Sequence, residues 1–168
     1  MGTVTPPQVI VVMGVAGSGK TTVGEKLARE VGWLYHDADT FHPPENVAKM
    51  SASIPLTDAD RAPWLAAMRH HIENCLEQHQ GAVVSCSALK ESYREILLVD
   101  PERVKLVYLQ GSRDLLWARI SSRQDHFMKP AMLDSQLATL EEPAQALTLN
   151  IALEPKSLVA AIRRVFSL

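Results

Sequence analysis

A three-layer α/β/α sandwich around a five-stranded parallel sheet is the fold this sequence predicts, and three observations predict it. Short β-branched runs alternate with amphipathic helical stretches along the whole chain. The first run, Gln8–Met13, is apolar without a break, as a strand covered on both faces must be. A glycine-rich turn then leads directly into helical periodicity.

The elements follow in order. After the first strand, helical spacing runs from about Lys20 to Val31, and Trp33–His36 reads as a second short strand ending in Asp37-Ala38-Asp39. The stretch Phe41 to Asp60 is rich in proline and polar residues, with room for one short helix over Pro44–Met50 and a loop. Asp58 or Asp60 is placed to cap a long helix reaching about Gln78, with Trp64, Leu65, Met68, Ile72 and Leu76 as its core stripe. Ala82–Cys86 is a third strand, Leu89–Leu97 a helix and Val104–Leu109 a fourth strand after the Pro101 turn. Asp114–Ser122 and Met132–Leu140 are helical on either side of the polar, turn-like Gln124–Pro130. Leu147–Leu153 is the fifth strand, and Pro155 opens a final helix at the position where a missing N–H is harmless.

At 168 residues the chain is sized for one domain, 1–168, with a real core but no second one. A net charge of −2, with basic side chains scattered, excludes a global field that gathers nucleic acid or an anionic membrane. Cys75 and Cys86 give neither a disulfide framework nor a metal-ligand spacing, and a reducing, cytoplasmic setting is expected. The apolar run near the N-terminus is too short for a signal peptide or a span. Met1-Gly2 lacks the Ser or Thr that myristoylation needs, since Pro6 holds that position.

Gly14-Val15-Ala16-Gly17-Ser18-Gly19-Lys20-Thr21 matches G-x-x-x-x-G-K-[ST] in full, between a buried strand and a helix start. Glycines let the backbone wrap with its N–H groups inward, and the helix adds its positive dipole end at the same spot. Such a cradle holds the phosphates of a nucleotide. Lys20 reaches the β- and γ-phosphates, Thr21 offers its hydroxyl to Mg²⁺, and Thr22 joins them at the helix start. A plain connecting turn is the competing reading, and the agreement of motif, strand and helix argues against it.

Chemistry beyond binding needs carboxylates. No N-K-x-D guanine reader occurs, and the third and fourth strands end in Ser85-Cys86-Ser87 and Gln110-Gly111 rather than in an acid. The acidic pair Asp37 and Asp39 instead ends the second strand, where doubly wound sheets bind ligands. Asp37 can orient Mg²⁺-bound water, and Asp39 can take a proton from an attacking hydroxyl. Both could equally be turn residues. Arg119 and Arg123 stand four apart and lead into 122–131, the form of a small lid carrying positive charge over a triphosphate, although two such arginines also suit a solvated face.

Several blocks together resemble the gluconate kinases of the P-loop kinase group, close in plan to shikimate and adenylate kinases. They are residues 14–21, Asp37-Ala38-Asp39-Thr40-Phe41-His42-Pro43, Asn46-Val47-Ala48-Lys49-Met50, and Pro55 through Leu65 with its D-x-D-R-x-P-W-L run. Cys86-Ser87-Ala88-Leu89-Lys90 with Tyr93-Arg94, His126-Phe127-Met128 and Ser135-Gln136 complete the likeness over most of the chain. The resemblance implies ATP and Mg²⁺ as co-substrate and cofactor, and D-gluconate as the acceptor that becomes 6-phosphogluconate. It implies Asp39 near the acceptor hydroxyl, Lys49 and Arg61 near the substrate acid, Arg123 in catalysis and substrate contact, His126 on the lid side, and a substrate segment of about 38–64. Such kinases are often homodimers, but the sequence supplies no contact surface. Ser53 stands where that pattern has glycine, a departure that costs energy if φ there is positive.

Other readings stay open: a different small hydroxyl acceptor such as shikimate, or a nucleotide-binding regulatory module without transfer. His71, Cys75 and His79 at i, i+4, i+8 span about 12 Å of helix axis, too far to share one ion. His70 and His71 read as surface residues, Trp33, Trp64 and Trp117 as core, and Cys86 as a buried thiol without a base.

Overall fold

The computed structural model describes residues 7–122 and 130–168. Five strands, β1 (Val9–Met13), β2 (Leu34–Asp37), β3 (Ala82–Ser85), β4 (Val104–Gln110) and β5 (Leu147–Asn150), form one parallel sheet in the order β2-β3-β1-β4-β5. Helices α1 (Lys20–Val31), α2 (Pro44–Ser51), α3 (Asp58–Glu77), α4 (Glu91–Leu97), α5 (Arg113–Ser121), α6 (Pro130–Thr139) and α7 (Pro155–Phe166) connect and cover it.

The unbroken apolar run of β1 is explained by its central place. Val9, Val11 and Met13 face a core made with Trp64, Leu65, Met68 and Ile72 of α3. Ile10 and Val12 face the opposite core with Val23 and Leu27 of α1 and Leu158, Val159 and Ile162 of α7. Alternation sends successive side chains to opposite faces, so both faces need apolar residues. Trp64 is buried, and Trp33 and Trp117 pack against the second core, as expected.

Four local expectations change. Neither Asp58 nor Asp60 caps α3: the Thr57 hydroxyl accepts from the Asp60 N–H, while the Asp60 carboxylate accepts from the Thr57 N–H. A threonine with an acid three residues on closes this reciprocal box and moves the cap one residue before Asp58 and three before Asp60. The second strand yields to a 3₁₀ turn over Ala38–Phe41, because the Asp37 carboxylate accepts from the Asp39 N–H at 2.9 Å. The fifth strand stops at Asn150, whose side chain accepts from the Ala152 N–H and turns the chain before Leu153. His71 is half-buried rather than a surface residue, its ring edge-on to His36 at 4.1 Å and tilted against Phe41 at 5.3 Å.

Ser53 has φ 58°, the left-handed conformation that glycine adopts without cost. Among the described residues no helix is long and apolar enough to cross a membrane, and no group of three or more His, Cys, Asp and Glu side chains could hold a metal ion.

Candidate active site

The loop between β1 and α1 is fixed by close packing behind it. A Cβ on Gly14 would lie 2.5 Å from Ser18 Oγ, and one on Gly17 would lie 2.8 Å from Ile120 Cγ1 and 3.0 Å from the Leu116 carbonyl. Gly17 and Gly19 have φ of 81° and 90°, so the wrap needs glycine for conformation as well as space. Val15 behind the loop is 2% exposed, and Ser18 Oγ is buried without a hydrogen-bond partner among the described residues. The hydroxyl is packed against Gly14, a buried polar group for which the described residues supply no hydrogen bond. Lys20 Nζ donates to the Val15 carbonyl at 3.1 Å, so its chain folds back over the loop. Ser85 Oγ donates to the Lys20 carbonyl at 2.9 Å and receives the Tyr35 hydroxyl at 3.1 Å, which ties α1 to β3 and β2. Thr21 and Thr22 are exposed at the start of α1.

Asp37 ends β2 level with Ser85 of β3, which in turn is level with Val12 of β1. Asp37 and Asp39 therefore stand at the same sheet edge as the loop. The Asp39 side chain opens to solvent, but protein crowds it from one side. That partial desolvation, and then the Asp37 carboxylate, raise its pKa above the ordinary value, while His42 and Lys20 pull it back. The pull from Lys20 means that the cradle cation and the candidate base lie within one another's field. Cys86 beneath them is no nucleophile, because burial pushes its thiol up to about 12.

Beyond Asp39 the chain builds a polar network from α2, α3 and α4. Lys49 Nζ donates to both Asp60 oxygens at 2.9 Å. The Thr57 backbone N–H and then Lys49 hold the Asp60 carboxyl down at about 2. Arg61 donates to the Leu56 carbonyl at 2.8 Å and to the Tyr93 hydroxyl at 3.3 Å. Tyr93 donates to Asp58, which also pairs with Lys90 at 3.2 Å. The guanidinium, the Lys49 ammonium and the Asp39 carboxylate are thus drawn from neighbouring parts of one segment.

Arg119 lies on α5 and donates to the Ile151 carbonyl. It lines a cleft of about 320 Å³ with Gly17, Gly19, Thr22 and Pro155. Two larger clefts, of about 640 and 730 Å³, are lined by none of residues 14–22. Arg123, His126 and most of the expected lid, 122–131, lie outside the described residues.

Sequence reasoning missed three contributors. Gln136 of α6 accepts from the Ala16 N–H at 2.8 Å, across 120 residues of chain. Asn46 is 3% exposed and bonds both His42 and the Asp60 carbonyl. Tyr93 joins Arg61 to Asp58. Each belongs to a block that carries the family resemblance, but spacing alone cannot tell which side chains meet.

The model of the shikimate kinase family matches residues 16–152. A gluconokinase of Gluconobacter oxydans (strain 621H) is 50% identical over 137 residues, 82% of this chain and 77% of its own. Among solved structures, a gluconokinase from Sinorhizobium meliloti 1021 superposes with a TM-score of 0.84 at 42% identity, covering 96% of this chain and 94% of that one. An unliganded sugar kinase from Janibacter sp. HTCC2649 gives 0.85 at 40% identity over 95% and 94%.

Proposed function

The chain belongs to the gluconokinases, within the shikimate kinase family, and from that membership we propose that it transfers the γ-phosphoryl group of ATP to a hydroxyl of D-gluconate, giving 6-phospho-D-gluconate and ADP. One observation carries the mechanism: Asp37 ends β2 level with Ser85, whose hydroxyl donates to the Lys20 carbonyl, so the acidic turn Asp37–Asp39 stands at the sheet edge where the loop enters α1. An acceptor hydroxyl beside Asp39 therefore faces a γ-phosphate held at Lys20.

The transfer is in-line. The hydroxyl oxygen forms a bond to phosphorus as the bond to the ADP oxygen breaks, and the hydroxyl proton passes to Asp39. Gly14, Val15, Ala16, Gly17, Ser18, Gly19, Lys20 and Thr21, with Thr22, form the cradle for the phosphates; within it the Ala16 N–H is held by Gln136 and the Ser18 N–H by the Val15 carbonyl, which fix the wrap. Lys20 spreads positive charge over the oxygens that gain it in the transition state. The donors nearby are hydroxyl and carboxylate oxygens, the set that Mg²⁺ takes. Thr21 would hold that ion directly and Asp37 through water, and the ion would neutralise charge between the β- and γ-phosphates. Arg119 beside Gly17 and Thr22 lines the nucleotide cleft. We assign Arg123 to the far side of the transferred group and His126 to the lid side of the substrate.

The acid end of gluconate suits a guanidinium fork, which binds a carboxylate through two parallel hydrogen bonds. Arg61 supplies that fork and Lys49 adds charge, sharing its ammonium with Asp60. Two free cysteines, both buried, suit a reducing cytoplasm. The test is acceptor-stimulated ADP release across gluconate, shikimate, nucleoside monophosphates and other polyol acids. Gluconate should give the highest kcat/KM. Preference for another acceptor would move the assignment, and ATP binding without stimulated release would leave a regulatory module.

A further inference from the structure

We propose that His42 is a specificity-determining residue of the acceptor site, a neutral imidazole locked with Nδ1 toward Asn46 so that its Nε2–H donates to a hydroxyl in the middle of the substrate chain. The proposal rests on the gluconate reading and adds to it a residue that binds neither the acid nor the reacting end.

The lock follows from hydrogen-bond roles. Asn46 Nδ2 lies 2.8 Å from the Asp60 carbonyl. A carbonyl only accepts, so the side-chain atom facing it must be the amide nitrogen. The same nitrogen lies 3.2 Å from His42 Nδ1, and its second proton points there. Nδ1 must therefore carry a lone pair, and the proton of the neutral ring sits on Nε2. Asn46 is 3% exposed, so an alternative that set two donors against each other would leave a buried polar clash.

The ring plane is fixed as well. His42 stacks on Trp64 with centroids 4.4 Å apart and planes 11° apart. Trp64 is buried, and its Nε1–H donates to the Ala38 carbonyl at 2.7 Å. Burial chiefly, and Arg61 as well, lower the pKa of the imidazole, while Asp39 raises it. The net direction is downward, which keeps the ring neutral near pH 7.

Those two neighbours also define its position. The His42 N–H donates to the Asp39 carbonyl at 3.3 Å, and Asn46 ties the ring to the carbonyl of Asp60, next to Arg61, so the ring neighbours both the candidate base and the candidate fork. A polyol acid stretched between base and fork passes this ring. Among the described residues Nε2 has no hydrogen-bond partner and is not a buried orphan, whereas Nδ1 is satisfied. A rigid, accessible N–H between the two ends suits a chain hydroxyl, and a site built to bond a hydroxyl rejects the analogue that lacks it.

Two measurements test this. In the apoprotein, nitrogen NMR of the His42 ring should show the Nε2–H form near pH 7, and a dominant Nδ1–H form would overturn the proposal whatever the enzyme phosphorylates. His42→Phe keeps a flat ring on Trp64 and removes the donor. It should raise KM for gluconate about tenfold, with kcat changed less than about threefold and KM for ATP within about twofold. Against a set of monodeoxygluconates, the wild type should penalise one mid-chain analogue about tenfold in kcat/KM, and His42→Phe should lose that penalty. An unchanged penalty, or equal loss for every acceptor and for ATP, means that His42 only packs. Wild-type turnover of gluconate is the control: its absence would sink the functional reading, while the tautomer result would still decide the lock.

Discussion

The phosphate loop and the acceptor segment do neighbouring jobs with opposite materials. In the proposed function residues 14–21 recognise through backbone, and what lies behind them is core: Val15 is 2% exposed, and Gly17 abuts Ile120 and Leu116. Residues 38–64, the proposed acceptor segment, would recognise through side chains, tied by Asn46, Lys49–Asp60 and Arg61–Tyr93, while Val47, Met50 and Ile54 of the same segment stay 47%, 43% and 51% exposed. Phosphate looks alike in every nucleotide, so a rigid amide nest suffices for it. A hydroxy acid has to be told from its analogues, and that takes separately placed donors and acceptors.

The sharpest way to break the comparison is at the carboxylate where the two regions meet. Asp39→Asn should lower kcat by about 10²–10⁴-fold with the fold intact. Asp39 accepts a proton only when ionised, and burial and Asp37 raise its pKa. The rate should therefore be full above that pKa and fall as pH drops through it, on an acid limb above the ordinary aspartate value of 3.8. The variant should lack this limb. Near-normal turnover by Asp39→Asn would remove its role as base.

Next comes Arg61→Ala, which should raise KM for gluconate roughly 10–100-fold and leave ATP affinity alone. Equal weakening of both substrates would mean that the two regions are not separate readers.

A matched pair of left-handed positions sharpens the contrast at smaller cost. Gly17→Ala puts a Cβ against Ile120 and a backbone carbonyl and should destabilise by roughly 1–3 kcal/mol in urea titration, with weaker ATP binding. Ser53→Gly relieves φ 58° and should stabilise by about 1 kcal/mol, with kcat for gluconate little changed. If Gly17→Ala proved neutral in both readouts, the loop would not be held by its packing.

How legible each region was follows from the same difference. The loop was readable residue by residue, because its requirements are local: glycine where φ is positive or a neighbour is too close, and lysine and threonine at fixed offsets. The central strand β1 was readable because burial on both faces leaves an unbroken apolar run. The cap of α3 lay one residue before Asp58 and three before Asp60, because aspartate and threonine both cap and only the reciprocal Thr57–Asp60 bonds decide between them. His71 was misread as surface because helical periodicity says nothing about what approaches from β2 and the 3₁₀ turn.

By itself, then, the sequence determined the layered α/β architecture, the phosphate loop, the acidic pair at the end of β2 and, through shared blocks, the kinase family. Periodicity and short motifs are properties of consecutive residues, and these features need no more than that. Tertiary structure alone decided that Gln136 meets Ala16, that Asn46 joins His42 to the Asp60 carbonyl, and that Lys49 rests on Asp60. Those contacts join separate elements of the fold, and a hydrogen bond exists only where folding brings donor and acceptor within about 3 Å in the right orientation.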